Sequence, residues 1–105
     1  MKAKLEQDDL ASLADLLEHM LFEVVDHQDD VKVTVSRGSH SVILAFEVHP
    51  SDSGFVIGEG GATIEALRRI MSVSAQSRGA LVHLDFKNER QRTEPSVVRR
   101  SGGER

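Results

Sequence analysis

The 105-residue sequence has no cysteine, no tryptophan and no tyrosine, and only two prolines. Without cysteine there is no disulfide framework, no thiolate metal site and no cysteine nucleophile. Such a chain suits a reducing cytosol, and a cytoplasmic location is expected. Four phenylalanines are the only aromatic residues, so a core must come mainly from Val, Leu, Ile and Ala. No apolar run is long enough to span a bilayer. The opening Met1-Lys2-Ala3-Lys4-Leu5-Glu6 turns acidic at once, unlike a secretory signal, and no membrane partner is expected. The length suits one domain with one modest core.

Positive charge is also scarce, with a net charge of −4. By itself that argues mildly against a nucleic-acid partner. Its distribution matters more. Residues 1–30 carry two lysines against nine Asp or Glu, whereas residues 61–87 and 88–105 each have a net charge of +2. A local basic surface can therefore coexist with an acidic whole.

Leu10, Leu13, Leu17, Leu21 and Val24, with Met20 beside them, fall at helical spacings and form a stripe wide enough to cover a core. Asp8 and Asp9 suit the positive end of a helix dipole, so a helix is predicted over about 9–26. His27-Gln28-Asp29-Asp30 breaks it. Val31, Val33 and Val35 alternate with Lys32 and Thr34 in a short strand. Ser36-Arg37-Gly38-Ser39-His40 is turn chemistry. Val42, Leu44, Phe46 and Val48 form the apolar face of a second strand, making an antiparallel hairpin, and Pro50 stops it. Ser51, Asp52 and Ser53 offer N-caps for a short helix through Gly54-Phe55-Val56-Ile57. After a glycine loop at Gly58-Glu59-Gly60-Gly61, a longer helix is predicted from 62 or 63 to 78, with Gly79 as its C-terminal cap. Residues 81–86 form a third strand. Residues 88–105 are polar and Arg-rich with no apolar period, and a flexible tail is expected there. The expected layout is an extension at 1–8, a domain at 9–87 and the tail. Its order, helix, strand, strand, short helix, long helix, strand, makes an α+β fold with helices packed on one face of a three-stranded sheet.

Within the long helix Ile64, Leu67, Met71 and Ala75 should face the sheet. Ala66, Ile70 and Val73 form a second apolar stripe nearly opposite. A helix apolar on two sides either lies between layers, here against the first helix, or meets a second copy of the chain.

Three glycines in four residues between two helical patterns do not serve helix stability. They permit unusual backbone angles and close approach by another backbone. The following helix starts with free N–H groups and a positive dipole end, which favours phosphate. A simple helix–helix corner would use the same residues, so the loop alone leaves both readings open.

The stretch from Val48-His49-Pro50 through Gly58-Glu59-Gly60-Gly61 to Ala62-Thr63-Ile64-Glu65-Ala66-Leu67-Arg68 closely resembles KH domains. In particular it resembles small bacterial single-KH proteins of the KhpA/YlqC kind. The resemblance covers about residues 10–87 and includes the helix-first order of the type II KH fold. It implies a non-catalytic RNA-binding protein that grips single-stranded RNA through Gly58, Glu59, Gly60 and Gly61. It implies a groove between that loop with its two helices and the sheet edge, with Ile57 and Ile64 as candidates for the apolar floor, although both read first as core residues. It further implies an RNA chaperone, working as a homodimer or with a second KH protein. The alternative is a protein-interaction module, attached to a KH partner or the ribosome, in which RNA binding has weakened.

Two positions depart from the family pattern. A basic residue usually stands between the glycines, where this chain has Glu59, and another often precedes Val56-Ile57, where it has Phe55. A carboxylate repels phosphate, so weaker RNA binding than the family norm is expected. Phe55 has three readings: a base-stacking platform, an anchor for another protein, or a core residue. Compensating charge is available at Arg68, Arg69 and Arg37, and loosely at Arg90, Arg92, Arg99, Arg100 and Arg105. The five histidines show no metal-ligand spacing, and no serine has an identifiable base partner. The sequence makes no positive case for an enzyme, a cofactor or a metal.

Overall fold

A computed structural model of the chain describes residues 6–38 and 41–92. Helix α1 (Gln7–Val24) starts two residues before the predicted position. Asp9 accepts a hydrogen bond from the Glu6 N–H at 3.0 Å. Its other oxygen meets Arg78 Nε at 3.3 Å, tying the start of α1 to the chain leaving the long helix. Strand β1 (Lys32–Arg37) pairs antiparallel with β2 (Ser41–Glu47), Lys32 opposite Glu47 and Arg37 opposite Val42. The strand thus takes in Ser36 and Arg37, which the sequence assigns to the turn. They belong to the ladder because the hairpin closes only at Gly38, whose N–H reaches the Ser41 carbonyl at 2.9 Å. Residues 39 and 40 of that turn lie outside the described residues.

From β2 the chain makes a 3₁₀ turn at Pro50–Asp52, then α2 (Ser53–Ile57), a second 3₁₀ turn at Glu59–Gly61, and α3 (Ala62–Gln76). A five-residue helix has no stability of its own. Burial of Val56 and packing against α3 hold α2 in place. Helix α3 closes with Ala80 N–H bonded to the Ala75 carbonyl at 3.0 Å, Gly79 standing at φ 76°, as the sequence predicts. Strand β3 (Leu81–Phe86) then pairs parallel with β2, so the sheet order is β1-β2-β3. A parallel pair needs a crossover, and α2, the glycine loop and α3 supply it.

One face of the sheet carries the core. Leu13, Leu17 and Leu21 of α1 and Leu67, Met71 and Ala75 of α3 close over Val42, Leu44 and Phe46 of β2. The Phe46 and Phe86 rings, opposite one another in the ladder, stack with centroids 4.9 Å apart. Ile43 and Leu81 lie exposed on the other face. On α3 the expected inner stripe is buried. The second stripe is not covered by α1: Ile70 is 47 % and Val73 68 % exposed.

The polar stretch expected to begin a flexible tail at residue 88 instead begins with helix α4 (Lys87–Arg92). Its anchor is polar, which is why no apolar period announces it. Asn88 is buried; its Oδ1 accepts from the Val48 N–H at 3.0 Å and its Nδ2 donates to the Val48 carbonyl at 2.9 Å. The last β2–β3 pair is Phe46 with Phe86, and two residues beyond it the Asn88 amide takes both backbone groups of Val48, as a strand would. Asn88→Ala is expected to cost about 2–3 kcal/mol, because both Val48 groups lose their partner. A urea unfolding midpoint reads this; a loss below about 0.5 kcal/mol, the level of an inert surface change, would remove Asn88 as the anchor. The rest of the expected tail lies outside the described residues.

Candidate nucleic-acid interface

The glycine loop joins two helices that meet at a sharp corner. Gly58 ends α2, its N–H bonded to the Gly54 carbonyl at 2.9 Å, at φ 77° and ψ 169°. That backbone region is almost closed to any other residue. Gly60 (φ 63°) and Gly61 (φ 80°) are left-handed, and Gly61 stands directly before α3.

The three glycines are not equivalent, a distinction the sequence does not reveal. A Cβ on Gly58 would lie 2.3 Å from Thr63 Oγ1 and 2.8 Å from the Thr63 backbone nitrogen. Gly58 therefore lets the loop fold tightly onto the first turn of α3. Nothing stands within 4 Å of where a Cβ on Gly60 or Gly61 would be. These two expose bare backbone at the head of a 15-residue helix that has no side-chain cap. The Gly61 N–H is bonded to the Gly58 carbonyl at 3.1 Å and the Ala62 N–H to the Glu59 carbonyl, so what the corner offers is uncovered backbone and the positive dipole end of α3, a setting that favours an anionic oxygen.

Glu59 is exposed beside them, and Phe55 is 55 % exposed on the preceding helix. The core reading of Phe55 thereby falls away, leaving the stacking and protein-anchor readings. Ile57 is half-buried next to the loop. Ile64 is only 3 % exposed and packs in the core, so it does not supply an open floor; its side chain points inward with Leu67 on the stripe that covers the sheet.

Between α3 and the edge strand β3 lies a cleft of about 170 Å³, lined by Arg68, Ser72, Val82, His83 and Leu84. The sequence marks Val82 and Leu84 only as an inward strand face. Their half-exposure follows from β3 being an edge strand that α3 covers incompletely, which depends on sheet order. Arg68 is the basic group of this cleft, and its Nη2 lies 3.6 Å from Glu89 Oε1 of α4. Both side chains are well exposed, so the contact is weak in water. Arg37 is exposed on β1, and Arg69 is exposed on α3 beside the hollow it lines with Ile70, Val73 and Ser74. The side chains of Arg90 and Arg92, and Arg99, Arg100 and Arg105 entirely, lie outside what the structure describes.

The entry to α2 is tied to the chain leaving α1. Asp52 is 1 % exposed and gives α2 no side-chain cap. Its Oδ2 instead accepts from the His27 backbone N–H at 2.9 Å and from His27 Nδ1 at 3.0 Å. Burial pushes the Asp52 pKa up. The His27 contacts and the Asp26 backbone N–H outweigh that and hold it below its usual value. Asp52 is thus a carboxylate at neutral pH, and the shared proton sits on His27 Nδ1. The His27 ring stacks on His49, centroids 4.0 Å apart and planes 16° apart. His49 Nδ1 accepts from the Ser51 N–H at 3.1 Å and lies 2.8 Å from Ser51 Oγ, capping the 3₁₀ turn that leads into α2. The sequence offers Asp52 as a cap and the histidines only as isolated residues; nothing in their spacing brings positions 27, 49 and 52 together. Among the described residues no group of three or more His, Asp or Glu could hold a metal ion, and no helix is long and apolar enough to cross a membrane.

Residues 14–86 match the family model described as KhpA/KhpB, KH domain. The chain is similar to the RNA-binding protein KhpA of Halalkalibacterium halodurans, 41 % identical over 71 residues, 68 % of this chain and 93 % of that protein. It is 34 % identical over 77 residues to the RNA-binding protein KhpA of Aquifex aeolicus, covering 73 % of this chain and 98 % of that protein. With the RNA-binding protein KhpA of Bacillus subtilis it shares 41 % identity over 56 residues, 53 % of this chain and 69 % of that protein.

Proposed function

The chain belongs to the KhpA/KhpB KH-domain family, and from that premise we propose that it is a non-catalytic RNA-binding protein of the cytosol. Single-stranded RNA lies with its phosphates along Gly60 and Gly61 and its bases toward the Arg68–Leu84 cleft. The observation that carries this is the open, uncapped backbone at the head of α3. A sugar–phosphate strand needs such uncovered backbone for close approach, and a mere helix corner does not. Phe55 stands where a base reaching past the loop can stack on it. The role that suits a small grip of this kind is that of an RNA chaperone, working as a homodimer or with a second KH protein. The exposed Ile70 and Val73, which with Arg69 and Ser74 line a hollow of about 370 Å³ on α3, form the face for the second copy. Sedimentation at rising concentration should show a monomer–dimer shift, and a strict monomer at high concentration ends the dimer reading.

Glu59 and the exposed Phe55 support the second reading, a protein-interaction module attached to a KH partner or the ribosome with its RNA grip reduced. Glu59→Lys separates the two. Reversing one charge beside a phosphate is expected to raise RNA affinity about tenfold and to steepen its salt dependence by about 0.7 in log–log slope. A gel-shift salt series measures both. If neither the native chain nor the variant binds RNA at low salt, the interaction module is the better account.

A further inference from the structure

We propose that His49 and His27 are positioning residues for the glycine loop, and that protonation of His49 uncaps the turn before α2 and loosens the grip on RNA. The inference rests on the RNA-binding reading above.

The two histidines differ in what a proton does to them. His27 already donates from Nδ1 to the buried Asp52 carboxylate; a second proton, at Nε2, leaves that bond in place and adds an ion pair. His49 is held in the opposite tautomer, because its Nδ1 accepts the Ser51 backbone N–H. A proton arriving at His49 goes to that same nitrogen. The Ser51 hydroxyl can turn round and accept it, but the Ser51 amide cannot, and it loses its acceptor. The charged ring then also lies 4.0 Å from the ring of His27. The acidic groups around the pair are Asp52, in contact with His27, and Asp26, Asp29 and Asp30, which with His27 and Gln28 line a hollow of about 490 Å³; none of these is Lys or Arg. Among the described residues the His49 ring bonds to Ser51, while the His49 carbonyl accepts from the Asp52 N–H at 2.8 Å. Only five residues of α2 separate the uncapped turn from Gly58, and so short a helix cannot hold its direction unaided.

The sign of the effect is diagnostic. Acid removes negative charge from the protein, which alone strengthens RNA binding. The latch predicts the reverse. The test is fluorescence anisotropy with a labelled single-stranded RNA of mixed sequence at constant salt, at about pH 7.5 and about pH 5.5, on either side of the histidine range. His49→Asn keeps an oxygen acceptor for the Ser51 N–H and does not titrate. Native affinity is expected to fall about fivefold, the worth of one helix cap, and that of His49→Asn to hold steady. Amide NMR signals of Gly58, Gly60 and Gly61, recorded without RNA, should move with pH in the native protein and stay in the variant. Should His49→Asn fail to fold by circular dichroism, His49→Gln takes its place. Affinity that is flat or rises with acid overturns the latch, as does an equal fall in the variant or loop amides that shift alike in both. Absence of RNA binding at either pH, or binding unchanged by Gly60→Asp with Gly61→Asp, defeats the RNA reading instead, and the loop amides alone then decide the latch.

Discussion

Replacing both Gly60 and Gly61 by aspartate should weaken RNA binding at least about a hundredfold while leaving the protein folded. The two substitutions place two carboxylates, with their bulk, on the backbone proposed to meet the sugar–phosphate strand. Two like-charge contacts at phosphate distance, plus loss of close approach, together reach about 3 kcal/mol. The fold should survive because nothing stands within 4 Å of either new Cβ. Both positions are left-handed, a conformation aspartate accepts better than most side chains, at a combined cost of about 2 kcal/mol. Circular dichroism and a urea melt report the fold, and a filter-binding titration reports the affinity. Unchanged affinity in a folded variant would place the RNA site away from the loop.

Gly58→Ala should do the opposite: damage the fold as well as the site. Its backbone angles, φ 77° and ψ 169°, lie where residues other than glycine are strained, at about 1–3 kcal/mol. The new methyl would also meet Thr63, 2.3 Å from its hydroxyl and 2.8 Å from its backbone nitrogen. Combined losses of about 3 kcal/mol or more are expected in a urea melt, a large share of a small domain's stability. Adding Thr63→Ala removes the hydroxyl but not the Cβ or the backbone nitrogen, so it should recover only part of the loss. A Gly58→Ala protein as stable as the native one would mean that the loop does not close onto α3 as the structure has it.

The contrast between these variants shows where sequence reasoning stops. From the chain alone Gly58, Gly60 and Gly61 are three equal glycines in a phosphate-sized loop. What separates them is the position of Thr63, one residue into α3, which walls off the first and leaves the other two open. Ile64 and Val82 are a second case. Both are apolar residues on inward stripes, yet Ile64 is buried in the core while Val82 borders the cleft. Periodicity names the face of an element but not how far its neighbour covers it. Phe55 was left open by the sequence for the same reason, and its exposure removes only one of three readings.

The sequence by itself determined the element order, the glycine corner with a helix starting behind it, the inner stripes of α1 and α3, and the missing basic residue at Glu59. These are local matters, set by period, by glycine and by charge within a few neighbouring positions. Only the tertiary structure decided that β3 is an edge strand, that Asn88 pins a fourth helix to Val48, and that His27, His49 and Asp52 meet before α2. Each depends on residues 22 to 40 positions apart in the chain, brought together by strand pairing, side-chain hydrogen bonds and one ring stack. Such bonds leave no repeating pattern, because one correctly placed donor and acceptor suffice and the residues between them are free to vary.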